Sequence, residues 1–314
     1  MNKVLLCHAF FDEGYPEQFE KAGFTLYYAT TPAERANIAP QLAQQVHAVL
    51  TYGSIGLNAD EIENMPNLEI ICSQGVGYEQ IDLDAAAKRG IVVTYGPGTN
   101  SCAVADHTLA LMLGITRLIP QLDVSVRERR WSHAGMNVVE MTGKKLGVLG
   151  LGDIGNEIAQ RCADGFKMPV AYHNRNPRKN SPWRYFDSIE ALAEWADYLV
   201  VATPGGKETA KLVDANVLRA LGSRGFLINI ARGSVVDSGA LIASLKNKEI
   251  AGAALDVIEG EPVVPEAFLP LSNLVLTPHI GGRSPEAMQN MMSLVLQNLT
   301  AHFSGQPVIT PVTR

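Results

Sequence analysis

Three polar residues of different kinds each follow a short apolar run in the last third of the chain. Phe226–Ile230 leads into Ala231-Arg232-Gly233, and Ala253–Val257 into Ile258-Glu259-Gly260-Glu261-Pro262. Leu274–Leu276 leads into Thr277-Pro278-His279-Ile280-Gly281-Gly282. In an open parallel sheet, ligands sit beyond the carboxyl ends of the strands, so Arg232, Glu261 and His279 can converge on one site. Their chemistry suits reduction of a 2-oxo acid. A guanidinium can grip a carboxylate and polarise the neighbouring carbonyl. An imidazole can donate a proton to the carbonyl oxygen. A carboxylate can hold that imidazole and favour its protonated form. Each residue alone has a plainer reading: a surface ion pair, a loop carboxylate, a satisfied strand-end histidine. Their order, beside the motif that follows, favours the joint one.

That motif is Gly150-Leu151-Gly152-Asp153-Ile154-Gly155, which fits G-x-G-x-x-G. With 28 glycines in the chain, the pattern alone says little. Its setting says more: Leu146–Leu149 leads in as a strand and Ile154–Cys162 leads out as a helix. Gly150 then permits the tight turn, Gly152 lets the backbone approach a pyrophosphate, and Gly155 lets helix and strand pack closely. The helix N-terminus attracts the phosphate charge. Asp153 is expected to face solvent or to cap the helix. Roughly twenty residues beyond the turn, where an NAD-binding fold places an acid for the ribose hydroxyls, this chain has Arg175. The strand Pro169–Tyr172 runs into His173-Asn174-Arg175-Asn176-Pro177-Arg178-Lys179, with no acid before Asp187. A guanidinium there can grip a 2′-phosphate. NADP(H) is therefore the expected cofactor, against the alternative of a solvated basic loop.

Positioning these groups requires alternating strands and helices. Val4–Cys7, Thr25–Tyr28, Ala48–Thr51, Ile70–Cys72 and Ile91–Thr94 read as buried strands, with Pro16–Ala22 and Asp82–Arg89 among the intervening helices. The set closes at Tyr95-Gly96-Pro97-Gly98, a hinge-like stretch. A helix over Cys102–Leu118 follows, with Leu109, Met112 and Leu113 expected in the core. A second series comprises Leu146–Leu149, Pro169–Tyr172, Tyr198–Ala202, Phe226–Ile230, Ile250–Ala254 and Leu274–Leu276. Pro285–Phe303 reads as an amphipathic helix whose Met288, Met292 and Leu296 are expected in the core. Two α/β sheets of different size result, with no short-period repeat.

Composition narrows the function classes. The 314 residues are 46% hydrophobic and 18% charged, enough for a large core. The net charge of -6 argues against a general nucleic-acid binder. Cys7, Cys72, Cys102 and Cys162 form no C-x-x-C pair, so buried free thiols are expected and no metal. The segment Met1-Asn2-Lys3 before Val4–Cys7 is too short for a secretory signal, and no apolar run spans a membrane. A cytoplasmic protein is expected.

Across nearly the whole chain, the sequence resembles the D-isomer-specific 2-hydroxyacid dehydrogenases. The matching segments are Gly75-Val76-Gly77-Tyr78, Val104-Ala105-Asp106-His107, Gly150–Gly155, Ile230-Ala231-Arg232-Gly233, Leu255-Asp256-Val257 with Glu261-Pro262, and Thr277-Pro278-His279-Ile280-Gly281. The resemblance implies a Rossmann doubly wound sheet (residues 99–285) inserted into a smaller flavodoxin-like α/β domain (1–98 and 286–314). It implies that the amides of Val76 and Gly77 hold the substrate carboxylate with Arg232. It implies that Asp256 meets the nicotinamide carboxamide and that Thr203-Pro204 pass the adenosine. Asn174, Arg178, Ile230 and Gly281 complete the cofactor contacts it implies, beside Gly150, Gly152, Asp153, Ile154, Gly155 and Arg175. A homodimer with its active site in an interdomain cleft is implied as well. Tyr172-His173-Asn174-Arg175 resembles the glyoxylate/hydroxypyruvate reductase and 2-ketogluconate reductase branch. The loop Thr51–Leu57 would then wall the substrate pocket. Arg130 and Trp131 either close over the cleft or form a surface helix end with a packed indole. Two other readings are weighed: an NAD-dependent small-anion dehydrogenase of the same fold, and a dinucleotide-sensing corepressor-like protein.

Overall fold

Short aliphatic and β-branched runs, each closed by a turn or a capping side chain, become the strands of two parallel sheets. The computed structural model describes residues 3–12, 14–131 and 138–313. Met1 and Asn2, used above to read the N-terminus, lie outside them. The chain divides into two units: Met1–Asn100 with Ser284–Arg314, and Ser101–Arg283.

The first unit begins with β1 (Lys3–Cys7), α1 (Tyr15–Lys21), β2 (Phe24–Tyr28), α2 (Pro32–Ala36), α3 (Pro40–Ala43) and β3 (Val46–Thr51). It continues with α4 (Ala59–Glu63), β4 (Ile70–Ser73), α5 (Leu83–Lys88) and β5 (Val92–Thr94). The strand order is β2-β1-β3-β4-β5, with Leu5 opposite Leu26 and Ile71 opposite Val93. The residues of β1, β3 and β4 are buried on both faces, as helices on each side require, whereas the edge strand β2 is partly exposed. Capping boxes at Thr31/Glu34 and Asn58/Glu61 start α2 and α4.

The second unit opens with α6 (Ser101–Thr116) and α7 (Ile119–Arg127), followed by β6 (Leu146–Leu149), α8 (Asp153–Phe166), β7 (Val170–His173) and β8 (Arg184–Tyr185). Then come α9 (Ile189–Trp195), β9 (Tyr198–Val201), α10 (Ala215–Leu221), β10 (Phe226–Asn229), α11 (Ser238–Lys246), β11 (Gly252–Leu255) and β12 (Leu274–Leu276). The order β12-β11-β10-β9-β6-β7-β8 is doubly wound, and the winding reverses between β6 and β9. Met112 of α6 is fully buried, with Leu109 and Leu113 packed on the same cluster, as expected. The final helix, α12 (Pro285–Phe303), belongs to the first unit. Its Met292, Val295 and Leu299 pack with Leu5, Leu50 and Ile70, and Met288 and Leu296 lie against them.

Three details depart from the sequence reading. The two-residue strand β8 and the helix α7 were not anticipated. Nor are all the thiols buried: Cys102 is exposed. Burial pushes the Cys72 and Cys162 thiols up to about 12, and raises Cys7 as well. Among the described residues, no single helix is long and apolar enough to cross a membrane; α6 and α7 qualify only as a pair bent by 61°.

Candidate functional site

Strand order places β10, β11 and β12 side by side, so the loops after them share one edge of the large sheet. Asn229, the last residue of β10, is buried and shapes the first loop. Its Oδ1 accepts from the Ala231 amide at 3.1 Å, and its Nδ2 donates to the Arg232 carbonyl at 3.0 Å. The sequence reading had Ile230 inside this strand; in the structure the strand ends at Asn229. Arg232 is half-buried, and its Nη1 donates to the Ala231 carbonyl at 2.7 Å.

After β12, His279 directs Nδ1 to Glu261 Oε1 at 2.6 Å. The Nδ1 proton is thereby committed to the carboxylate and Nε2 is left for a reactant. Burial opposes ionisation of Glu261. The hydrogen bond and charge of His279, the Ile258 amide and the Arg232 charge outweigh it and hold the carboxyl below its usual range. The electrostatic reach of Arg232 to Glu261 joins all three sequence-predicted residues.

His279 has φ +52°, a left-handed conformation rare outside glycine. Its amide donates to the carbonyls of Asp256 at 2.8 Å and Thr277 at 3.1 Å. The Asp256 side chain, 4% exposed, holds the rest of the segment. Its Oδ1 accepts from Thr277 Oγ1 at 2.6 Å and the Ile280 amide at 3.0 Å, and its Oδ2 from the Gly281 amide at 2.8 Å. Asp256 therefore serves its own chain first. Oδ2 has Gly281 as its partner among the described residues.

The glycine turn fits a dinucleotide. Gly150 has φ +102°, and a side chain there would strike Ala202 and Thr203; one at Gly155 would strike the Gly150 carbonyl. A Cβ on Gly152, by contrast, would project into open space. Bareness at 152 has no use in the protein alone but leaves room for a pyrophosphate. The N-cap of α8 is Gly152, without a side-chain hydrogen bond. The helical ladder starts with Asn156 donating to Gly152 at 3.0 Å, and the Asp153, Ile154 and Gly155 amides have no acceptor among the described residues. Such amides suit an anion. Asp153 is exposed at the first helical position, so of the two expected placements, solvent or cap, it takes the solvent one.

At the far end of the same edge, a pocket of about 560 Å³ is lined by Gly150, His173, Asn174, Arg175, Thr203, Pro204 and Glu208, among others. Arg175 Nη2 lies 2.9 Å from Glu208 Oε2, with both side chains more than three-quarters exposed. The sequence reading saw no acid near Arg175; Glu208 arrives from the loop after β9, which a count along one loop cannot show. Asn174 turns inward, its Oδ1 accepting from the Leu151 amide at 2.6 Å. Arg178 Nη1 donates to the carbonyl of Leu151 at 3.1 Å. Both brace the glycine turn. His173 bonds the Phe186 carbonyl through Nδ1 at 2.9 Å.

In the first unit, Val76 and Gly77 follow β4. Gly77's carbonyl accepts from Ser73 Oγ. Among the described residues, the Val76 and Gly77 amides have no acceptor. The adjacent Thr51–Leu57 loop is pinned from behind: Thr51 Oγ1 donates to the Gly56 carbonyl at 2.8 Å and contacts His8 Nδ1 at 3.1 Å. Burial first, then the charge of Arg35, lowers His8 to about 4, so its ring is neutral. Arg130 pairs with Glu128, and the Trp131 indole is 86% exposed, so it is not the packed indole of a helix end.

Sequence reasoning assigned no role to Asn229, Thr277, His107 or Glu208. The first three were visible as polar residues inside apolar or motif segments; Glu208 carried no signal. No group of three His, Cys, Asp or Glu residues suited to a metal ion occurs among the described residues.

Residues 109–281 match the D-isomer specific 2-hydroxyacid dehydrogenase family, NAD binding domain. The chain is 40% identical over 297 residues to 2-ketogluconate reductase from Gluconobacter oxydans, covering 94% of each. It is 39% identical over 300 residues to hydroxyphenylpyruvate reductase from Plectranthus scutellarioides, covering 95% of each. Among solved structures, it resembles the NADPH-dependent glyoxylate/hydroxypyruvate reductase of Sinorhizobium meliloti, in complex with NADP and malonate. The TM-score is 0.91 and the identity 37%, over 100% of this chain and 97% of that one.

Proposed function

The chain belongs to the D-isomer specific 2-hydroxyacid dehydrogenase family, and on that premise we propose that it reduces a small 2-oxo acid to the D-2-hydroxy acid with NADPH. The observation that carries the reading is the His279–Glu261 pair at 2.6 Å, within electrostatic reach of Arg232. It stands on the sheet edge that also carries the glycine turn. When bound, the reduced nicotinamide supplies a hydride to the carbonyl carbon.

Everything else is done by the chain. Arg232 holds the carboxylate of the 2-oxo acid and polarises its carbonyl. His279 donates the Nε2 proton to the developing alkoxide, and Glu261 carries the charge balance through Nδ1. Gly150, Gly152, Ile154 and Gly155 accommodate the pyrophosphate, Thr203, Pro204 and Ile230 border the cofactor, and Asp256 Oδ2 accepts from the carboxamide. Arg175 trades Glu208 for the 2′-phosphate. An exposed ion pair is worth roughly 0–1 kcal/mol, and a phosphate group offers a stronger, multidentate partner. The Sinorhizobium structure with NADP supports this cofactor choice, and the 2-ketogluconate and glyoxylate/hydroxypyruvate relatives support the substrate class. The working unit is a cytoplasmic homodimer, to be tested by light scattering.

The reaction is tested by a panel of glyoxylate, hydroxypyruvate, 2-ketogluconate, phenylpyruvate and pyruvate with NADPH and with NADH. Turnover on at least one acid, faster with NADPH, is expected. Tight NADPH binding without turnover on any of them would point instead to a dinucleotide-sensing protein.

A further inference from the structure

A second histidine sits on the segment that carries His279. His107, on α6, brings Nε2 to 2.9 Å from Thr277 Oγ1 and 3.2 Å from Asp256 Oδ1. The Thr277 hydroxyl has a single proton, and it goes to Asp256 Oδ1 at 2.6 Å. Toward His107, the threonine oxygen is therefore an acceptor, and Nε2 must be protonated. That one N–H is shared between the Thr277 oxygen and the Asp256 carboxylate. The contact is close on the other side too: a side chain at Gly281 would come within 3.1 Å of the His107 ring and 2.9 Å of Asp256 Oδ2.

These contacts form one chain of cause. The carboxylate of Asp256 takes the amides of Ile280 and Gly281, and its main-chain carbonyl takes the amide of His279. The His279 backbone is in a costly left-handed state, which persists only where the surroundings over-determine it. A buried carboxylate keeps a fixed orientation only while its donors are in place. His107 supplies the donor that comes from outside the two loops.

We infer that His107 is a positioning residue for the reaction: its Nε2–H orients Asp256 and Thr277 so that the 277–281 segment presents His279 with its backbone in the left-handed state. It acts through Asp256 and Thr277 and does not touch the substrate. The inference rests on the proposal that His279 handles the substrate's proton.

The test compares His107→Leu, His107→Asn and His107→Gln in the full-length protein. A glutamine amide can bring an N–H near the Nε2 position, whereas the shorter asparagine amide cannot; Asn thus keeps polarity without the bond and guards against a Leu variant that does not fold. Two readouts are taken: amide hydrogen exchange at Ile280 and Gly281, and the kcat and KM for hydroxypyruvate with NADPH. In Leu and Asn, exchange should rise and kcat should fall, each by about tenfold, the loss of one charge-assisted hydrogen bond. The KM for hydroxypyruvate should stay within about twofold, the Kd of NADPH should rise by no more than about tenfold because Asp256 also serves the cofactor, and Gln should recover most of these losses. Unchanged exchange in Asn, or a Gln variant no better than Asn, overturns the inference. Faster exchange with unchanged kcat overturns it too, while leaving the proposed reaction standing. If the wild-type protein turns over none of the 2-oxo acids, the proposed reaction fails and the catalytic part of the inference with it; exchange alone then decides whether His107 holds the segment.

Discussion

The two ends of the large sheet's carboxyl edge are built differently. At the β10–β12 end, the segment of His279 is held by the carboxylate and carbonyl of Asp256, and its imidazole by Glu261 at 2.6 Å. At the β7 end, Arg175 is exposed and meets Glu208 across open solvent at 2.9 Å. The first end is pre-organised, with the ordering cost met during folding. The second pairs an exposed guanidinium with an exposed carboxylate, a weak partnership in water. Chemistry that depends on proton placement needs the first arrangement, since small misplacements are expensive. Recognition of a phosphate tolerates the second, because a guanidinium fork can close on its ligand at little cost.

If that contrast holds, substitutions at the rigid end should act on turnover and those at the soft end on cofactor affinity. The largest effect belongs to His279→Ala: kcat should fall by about 10²–10⁴-fold, the range of general acid–base catalysis, with the Kd of NADPH nearly unchanged. Loss of NADPH binding would break the division between the ends. Glu261→Gln comes next, at about 10- to 100-fold in kcat near neutral pH, as one charge-assisted hydrogen bond is lost.

The Glu261 substitution also has a pH signature. The folded carboxyl lies below its ordinary range, so its contribution is complete above the ordinary glutamate pKa of about 4.3 and disappears as the pH falls through the lower folded value. Wild type and Glu261→Gln should therefore differ in stability at pH 7 and converge on acidification, read by denaturant titrations across that window. A gap that widened below pH 4 would reverse the sign of the coupling.

At the soft end, Arg175→Ala should weaken NADPH by about 10- to 100-fold and leave NADH within about twofold. Equal losses would remove the 2′-phosphate from the account. The smallest effect is that of Glu208→Gln, which frees the guanidinium from an exposed pair worth roughly 0–1 kcal/mol and so should tighten NADPH by no more than about fivefold. Weaker NADPH binding in that variant would mean that Glu208 helps to build the pocket.

Much of the rigid end was legible in the sequence, because its residues follow short apolar runs bounded by turn signals, the pattern of buried strands. Arg232, Glu261 and His279 come from strands that turn out to be neighbours, as doubly wound order requires. The glycine turn was equally legible, since strand and helix on either side leave no other geometry. What escaped were interactions between segments distant in the chain. His107 and Thr277 are 170 positions apart, and no local spacing signals their contact. Glu208 and Arg175 meet across two loops. Asn229, read as part of a strand, uses its side chain to end that strand and turn the chain toward Arg232.

Local backbone states were hidden as well. The reading of one helix stopped at Leu118, where a leucine at φ +54° breaks α6 from α7, a conformation that residue identity does not foretell. The edge strand β8, Arg184–Tyr185, has no apolar run and exists only because β7 offers it a partner.

In the proposed reaction the ordered end delivers a proton to a carbonyl oxygen while a hydride reaches the adjacent carbon on one defined face. The direct measurement uses NADPH deuterated at the transferable position with hydroxypyruvate, followed by mass and chiral analysis of the product. D-glycerate carrying one deuterium at C2 is the expected product. An L product, or glycerate without the label, would contradict it.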